Sequence, residues 1–241
     1  MRSSSFLTLT LLLVLPGLPA WAQMGGPTPM TLDLRKVPVG TWSEYSMTMG
    51  EGQGAVTVKS RWSLVARDAS SNTLEMSAEG PPLEQMGGKT VVKMVLVPDP
   101  VKSDHPVKQM VLKLGDRDPM EMPVDMPGAP PQKFEKPDPK KLVAKESIKV
   151  PAGTFKASHY RDVNNGVTVD FWTSDEAQPL GLVKLTTNPK PGTPGPGGQP
   201  ISLQLTSRGK DAKATITKPA KPFDPAAFGG PGGPPPAPPK K

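Results

Sequence analysis

The sequence predicts an all-β protein built on an antiparallel sheet of about ten strands. Three observations carry this. The dominant hydrophobic period is two, turn signals separate the periodic runs, and no run at helical spacing is long enough to cover a sheet face. In Ala55 to Arg67, the residues Val56, Val58, Trp62, Leu64 and Ala66 alternate with Thr57, Lys59, Arg61, Ser63 and Arg67, the pattern of a strand with one buried face. Thr73 to Glu79 repeats it with Leu74, Met76 and Ala78, and Ser71-Asn72 supplies a turn between the two. Alternation therefore assigns Trp62, Leu64, Leu74 and Met76 to one face. Further strands are expected at Thr41 to Met49, Lys89 to Val97, Val107 to Leu114, Leu142 to Val150, Thr154 to Asp162, Val167 to Thr173, Leu180 to Thr186 and Ile201 to Ser207.

The turns give the pairing order. Val150-Pro151-Ala152-Gly153 places Pro where φ must be near −65° and Gly where φ turns positive, which joins two strands in a short hairpin. Asn164-Asn165-Gly166 offers the Asn-Gly signal of a type I′ turn and joins the next two. Successive hairpins predict a meander. Leu83 to Met86 and Asp175 to Gln178 have room for one helical turn each.

The segment Val150-Pro151-Ala152-Gly153-Thr154-Phe155-Lys156-Ala157, a later strand ending in Phe171-Trp172, and Pro179-Leu180-Gly181-Leu182-Val183-Lys184 carry a resemblance. Together with Gly40-Thr41-Trp42-Ser43-Glu44-Tyr45 they are similar to a module of uncharacterised exported bacterial proteins related to the lipoprotein-carrier (LolA/LolB-like) half-barrel superfamily. The match covers about a third of the chain. It implies a strongly curved antiparallel sheet, an incomplete barrel whose apolar concave face holds acyl chains in the carriers. The long helices that lid the carriers' cavity have no counterpart in this sequence. A ligand groove of this kind would be lined by Trp42, Trp62, Leu64, Leu74, Met76, Phe155 and Trp172.

The two ends of the chain read differently from its middle. Arg2, an apolar run from Phe6 to Leu15, the breakers Pro16-Gly17 and the small-x-small site Ala20-Trp21-Ala22 make residues 1–22 a signal peptide, with cleavage between Ala22 and Gln23. The run is too short to span a bilayer, which takes ~20 apolar residues. No other apolar run reaches that length, so no transmembrane segment is expected in the mature chain. Residues 23–39 are a lead-in to a β domain over 40–208, which is interrupted by Pro-rich loops at 119–139 and 188–200. Residues 209–241, rich in Lys-Pro and Gly-Gly-Pro units, are expected to be a disordered basic tail. The 33 prolines and 24 glycines make up close to a quarter of the 241 residues, and they concentrate in those loops and that tail.

Charge and composition exclude whole classes. The net charge of +7 invites a nucleic-acid reading, but residues 23–207 hold 21 basic and 20 acidic side chains. The excess sits at the C-terminus, where adhesion to anionic envelope components fits better than nucleic acid. No cysteine means no disulfide, thiol catalysis, Cys-ligated zinc or lipid attachment through a lipobox cysteine. The two histidines, His105 and His159, cannot make a three-His zinc site. Neither Gly-x-Ser-x-Gly nor His-Glu-x-x-His occurs, and Gly88-Lys89-Thr90 lacks the earlier glycine of a phosphate-binding loop. Ser103-Asp104-His105 and Ser158-His159 place triad-type residues side by side, whereas a triad needs them converging from separate elements.

The expectation is a non-enzymatic, exported (periplasmic or extracellular) bacterial protein that needs no cofactor and binds or carries a lipid or other apolar ligand. Two alternatives stay open. One is a structural or envelope-interaction protein acting through its basic tail. The other is a copper-handling protein using the thioethers of Met120, Met122 and Met126, with Met47 and Met49 as further donors.

Overall fold

A computed structural model of the chain describes residues 28–29, 33–84, 87–124, 134–164, 166–190 and 199–224. Two meanders joined edge to edge make one open, antiparallel sheet of eleven strands. The first contains β2 (Trp42–Met49), β3 (Val56–Arg67), β4 (Asn72–Glu79), β5 (Thr90–Leu96), β6 (Val107–Leu114) and β7 (Met120–Met122). The second contains β9 (Leu142–Val150), β10 (Gly153–Asn164), β11 (Val167–Thr173), β12 (Leu182–Pro189) and β13 (Ile201–Gly209). Their union is the pairing of β13 with β2, and β7 and β9 form the two edges. A small parallel pair lies apart, β1 (Thr28–Pro29) with β8 (Phe134–Glu135).

All ten expected strands are present, and the eleventh, β7, falls inside the expected loop 119–139. Both foreseen hairpins form. Val150 pairs Gly153, whose φ is 127°, and Asn164 pairs Val167 around Gly166 at φ 79°. Pro81–Glu84 makes one helical turn, whereas 174–178 is a non-helical turn in which Ala177 N–H bonds the Ser174 carbonyl.

Cross-strand register puts one set of side chains on a common inner face. Trp62 lies opposite Met76, Leu64 opposite Leu74, Leu74 opposite Met94, and Met94 opposite Met110. Tyr45 on β2 and Leu203, Leu205, Leu185 and Phe171 of the second meander continue the same buried cluster. That half curls on itself: the Ala152 N–H at the tip of the β9–β10 hairpin donates to the Leu205 carbonyl on β13, three strands away in the sheet. Right-handed twist accumulated over many strands drives such curling.

Lids pack over part of the inner face. Leu34 and Val37 from the lead-in, Leu180 and Ala177 from the β11–β12 loop, and Phe134 all belong to the cluster, with Val101 and Val124 packed against it. Buried polar groups fasten the lids. The Tyr45 hydroxyl donates to the Leu182 carbonyl at 3.0 Å, burial pushing its pKa up, and the Ser43 hydroxyl donates to the Gln178 carbonyl. One arginine holds the lead-in: Arg67 donates to the carbonyls of Leu34, Arg35 and Val37, and its Nε reaches Asn72 Oδ1 at 2.9 Å. Arg67→Ala is expected to cost about 2–3 kcal/mol, the worth of several charge-assisted bonds net of solvation. Arg67→Lys should recover little, since a point charge cannot fork to three carbonyls. Thermal melts of the three proteins check both statements.

Candidate functional site

The expected groove residues separate into two groups. Trp62, Leu64, Leu74, Met76 and Phe155 are between 0% and 5% exposed and sit together in the core. Trp42 and Trp172 are half-buried, and each indole is committed to a carboxylate, Trp42 to Asp211 and Trp172 to Glu146, at 2.7 Å in both cases. The groove predicted at these seven positions is therefore not an open one: its inner members are covered by the lids, and Trp42 projects from the opposite, outer face. The reason is that the lead-in and the β11–β12 loop carry apolar side chains of their own, which seal the face without long helices.

On the outer face, Trp42 lies under the Arg61 guanidinium, 4.0 Å from its ring centroid, and against Gly209, where a Cβ would approach the indole to 2.6 Å. Arg61 also pairs with Glu44 at 3.1 Å. A polar cleft of ≈ 550 Å³ opens beside them, lined by Glu44, Lys59, Arg61, Glu79, Lys89 and Asp211 among others. The indole donation holds the Asp211 carboxyl below its ordinary range.

The roof of this cleft is the C-terminal segment. The sequence reading starts the tail at residue 209, but residues 210–224 run across the outer face as a strap, and residues 225–241 lie outside the described residues. Ala212 N–H bonds the Gly40 carbonyl. The buried Glu75 carboxylate accepts the Thr215 and Ile216 amides at 2.6 and 3.0 Å. Ile216 is buried against Val91 and Val111. Lys221 exchanges backbone bonds with Pro119 and Glu121 at the β7 edge, and its ammonium reaches Asp118 at 2.8 Å. Sequence reasoning missed this because Glu75 occupies a polar position of β4, the register of a solvated side chain. The one available signal was the apolar Ile216 between Thr215 and Thr217 in an otherwise polar stretch.

The hydrogen bond from Lys221 lowers the Asp118 pKa, and the same bond raises that of Lys221. A depressed carboxyl stabilises above its unfolded value near 4 and stops doing so as pH falls through its folded value. A raised lysine stabilises below about 10.4 and stops as pH rises further. The end of the strap is thus expected to loosen in acid, with Lys221 amide protection lower at pH ~3 than at pH ~7. Equal protection would mean that the backbone bonds alone hold it.

His159 is the most enclosed titratable group of the second meander. Its Nε2 lies 2.6 Å from Asp170, its Nδ1 3.4 Å from Glu146, and its ring stacks on Trp172 at 4.2 Å. Arg161 shares Asp170 at 2.8 Å. With both nitrogens turned to carboxylates, no ring atom faces a nucleophile, and Ser158 points to the other side of the strand. His105 is exposed.

Among the described residues, Met120, Met122, Met47 and Met49 do not assemble. Met122 packs in the core opposite Met110, the Met120 sulfur accepts the Asp224 amide at 3.3 Å, and Met126 lies outside the described residues. Met47 and Met49 sit on β2, five strand spacings along the sheet, against Val58, Ala78 and Leu83. No group of three His, Asp or Glu side chains among the described residues is placed to hold a metal ion. Among them too, no helix is long and apolar enough to cross a membrane. The signal-peptide site at Ala22 and Gln23 lies outside the described residues.

No family model and no curated protein sequence matches the chain. Among solved structures it is similar to a hypothetical protein from Chlamydia trachomatis, with 13% identity and a TM-score of 0.40 over 76% of this chain and 93% of that one. A protein from Bacteroides fragilis, assigned as exported and with a YmcC-like fold, matches at 10% identity and a TM-score of 0.34 over 76% of this chain and 100% of its own. A protein from Parabacteroides distasonis assigned as a lipoprotein matches at 13% identity and a TM-score of 0.32, with the same coverage.

Proposed function

We propose that the protein is an exported, non-enzymatic bacterial envelope protein that works by surface contact, its strap anchoring the basic C-terminal tail beside the β7 edge. The observation that supports this reading over carriage of an apolar cargo is the occupied inner face. The side chains an acyl chain would need, Trp62, Leu64, Leu74, Met76 and Phe155, are already buried under the protein's own lids. Export rests on the leader-like residues 1–22. The absence of catalysis rests on the engagement of His159 and on the missing motifs. Kinship with the lipoprotein-carrier half-barrels belongs to the same proposal, supported by the curling sheet, with the filled face as the departure.

Anionic head groups or glycans are the partners that the tail's lysines fit, through contacts that weaken with salt. Two measurements test the reading. The folded protein at neutral pH is expected to give no saturable signal with an apolar fluorescent probe. It is also expected to co-sediment with phosphatidylglycerol-containing vesicles less well once Lys240→Glu and Lys241→Glu are introduced. Saturable probe binding would return the inner face to the carrier reading and overturn this one.

A further inference from the structure

A second polar pocket, of ≈ 700 Å³, lies at the β9 end of the sheet, remote in sequence from the tail. Its size is that of small-molecule sites, roughly 300–1,000 Å³. Register explains its chemistry. Lys145 lies opposite Ser158, and Ser158 opposite Thr173, in one row across three strands, while Ser147 and Lys156 make the next row. Paired residues share a face, so these two rows project to the same side. Lys136, Tyr160 and Ser174 complete the wall.

Two acidic residues of these strands are engaged by other side chains. Glu146, between Lys145 and Ser147, accepts the Trp172 indole at 2.7 Å and faces His159, while Asp170 is shared by His159 and Arg161. Three lysines and five hydroxyls line the pocket, with Glu146 and Asp175 as its acidic residues, and the Glu146 carboxylate is engaged by the Trp172 indole. None of Lys136, Lys145 and Lys156 has an ion-pair partner among the described residues. Lysine ammoniums are point-charge ligands for phosphate, and hydroxyls both donate to its oxygens and accept from a ligand's own hydroxyls.

We infer that this pocket binds a phosphate ester carried on a hydroxyl-bearing group such as glycerol or a sugar. The inference goes beyond the tail reading and stands without it. Lysines on an edge strand also guard it against pairing with another chain, and a pocket with that role alone would bind nothing.

Full-length protein is titrated calorimetrically with glycerol 3-phosphate and, separately, sedimented with phosphatidylcholine vesicles with and without phosphatidylglycerol. The variants are Lys145→Glu with Lys156→Glu, the milder Lys145→Gln with Lys156→Gln, and Lys240→Glu with Lys241→Glu. Both pocket lysines are exposed, so melting temperatures should match the parent. Saturable binding that weakens about tenfold or more in both pocket variants and persists in the tail variant is the expected result. Binding of the soluble ester identifies a free ligand, and binding to vesicles alone identifies a lipid head group. Binding of neither probe, binding indifferent to the pocket lysines, or binding abolished by the tail variant alone overturns the inference, and the last of these leaves the tail reading standing.

Discussion

Trp62→Glu is expected to yield no stably folded protein. The indole is 5% exposed and packs in the main core cluster with Met76 as its cross-strand partner. Placing a carboxylate there either buries an unpaired charge or forces its protonation, and removes a large apolar side chain as well. The sum exceeds about 4–5 kcal/mol, a large part of the 5–15 kcal/mol that a domain has. Trp62→Ala, which leaves a cavity but no charge, should cost about 3–5 kcal/mol and still fold. Circular dichroism and thermal melts decide. A Trp62→Glu protein that melts within a few degrees of the parent would show that the site opens to water, and the inner face would again be a groove.

Glu75→Gln should release the strap while leaving the sheet intact. Both carboxylate oxygens are in use, one on the Thr215 amide and one on the Ile216 amide. An amide side chain keeps one acceptor and turns a donor toward the other N–H, so the isosteric change removes one bond and sets two donors against each other. Bonds to a charged group are worth about 1.5–3 kcal/mol each. Local opening of the strap is therefore expected to become easier by roughly 2–4 kcal/mol, a 30- to 1,000-fold faster exchange of the Thr215 and Ile216 amides. Amides of β3 and β4 should keep their protection. Unchanged exchange at 215 and 216 would place the anchor elsewhere, at Ala212 or Lys221.

Local rules reached the sheet but not what covers it. The period of two and the Gly153 and Gly166 turns are properties of neighbouring residues, and the ten strands followed from them. The pairing of β13 with β2, the Arg67 clasp on the lead-in and the Glu75 clasp on the strap join segments far apart in sequence, and no pattern in either segment names its partner. Alternation correctly put Trp62, Leu64, Leu74 and Met76 on one face. Whether that face is open depends on Leu34, Val37, Phe134 and Leu180, single apolar residues in segments without period. Trp42 and Trp172 misled for a related reason. An aromatic ring on a strand reads as core or cargo contact, and only the distant Asp211 and Glu146, two strands away on β9, show that both indole N–H groups are committed to carboxylates.

The pairing of β13 with β2 also sets an order of events. Every other neighbour in the sheet is joined by a hairpin or short connection, whereas this contact brings residues 42–49 against 201–209. Closing a loop of that length is the slow, high-separation step of the topology. Until β13 arrives, β2 is a bare central edge, eight residues long, with Tyr45 and Met47 paired to β3 on one side and unpaired on the other. A chain stopped before residue 201 would carry that edge permanently, with its hydrogen-bonding groups free to pair with the same edge of another molecule. Quality control of this protein therefore rests on its last strand. C-terminal truncations reaching into β13 should appear as aggregates, whereas those ending after Asp224 should stay dispersed.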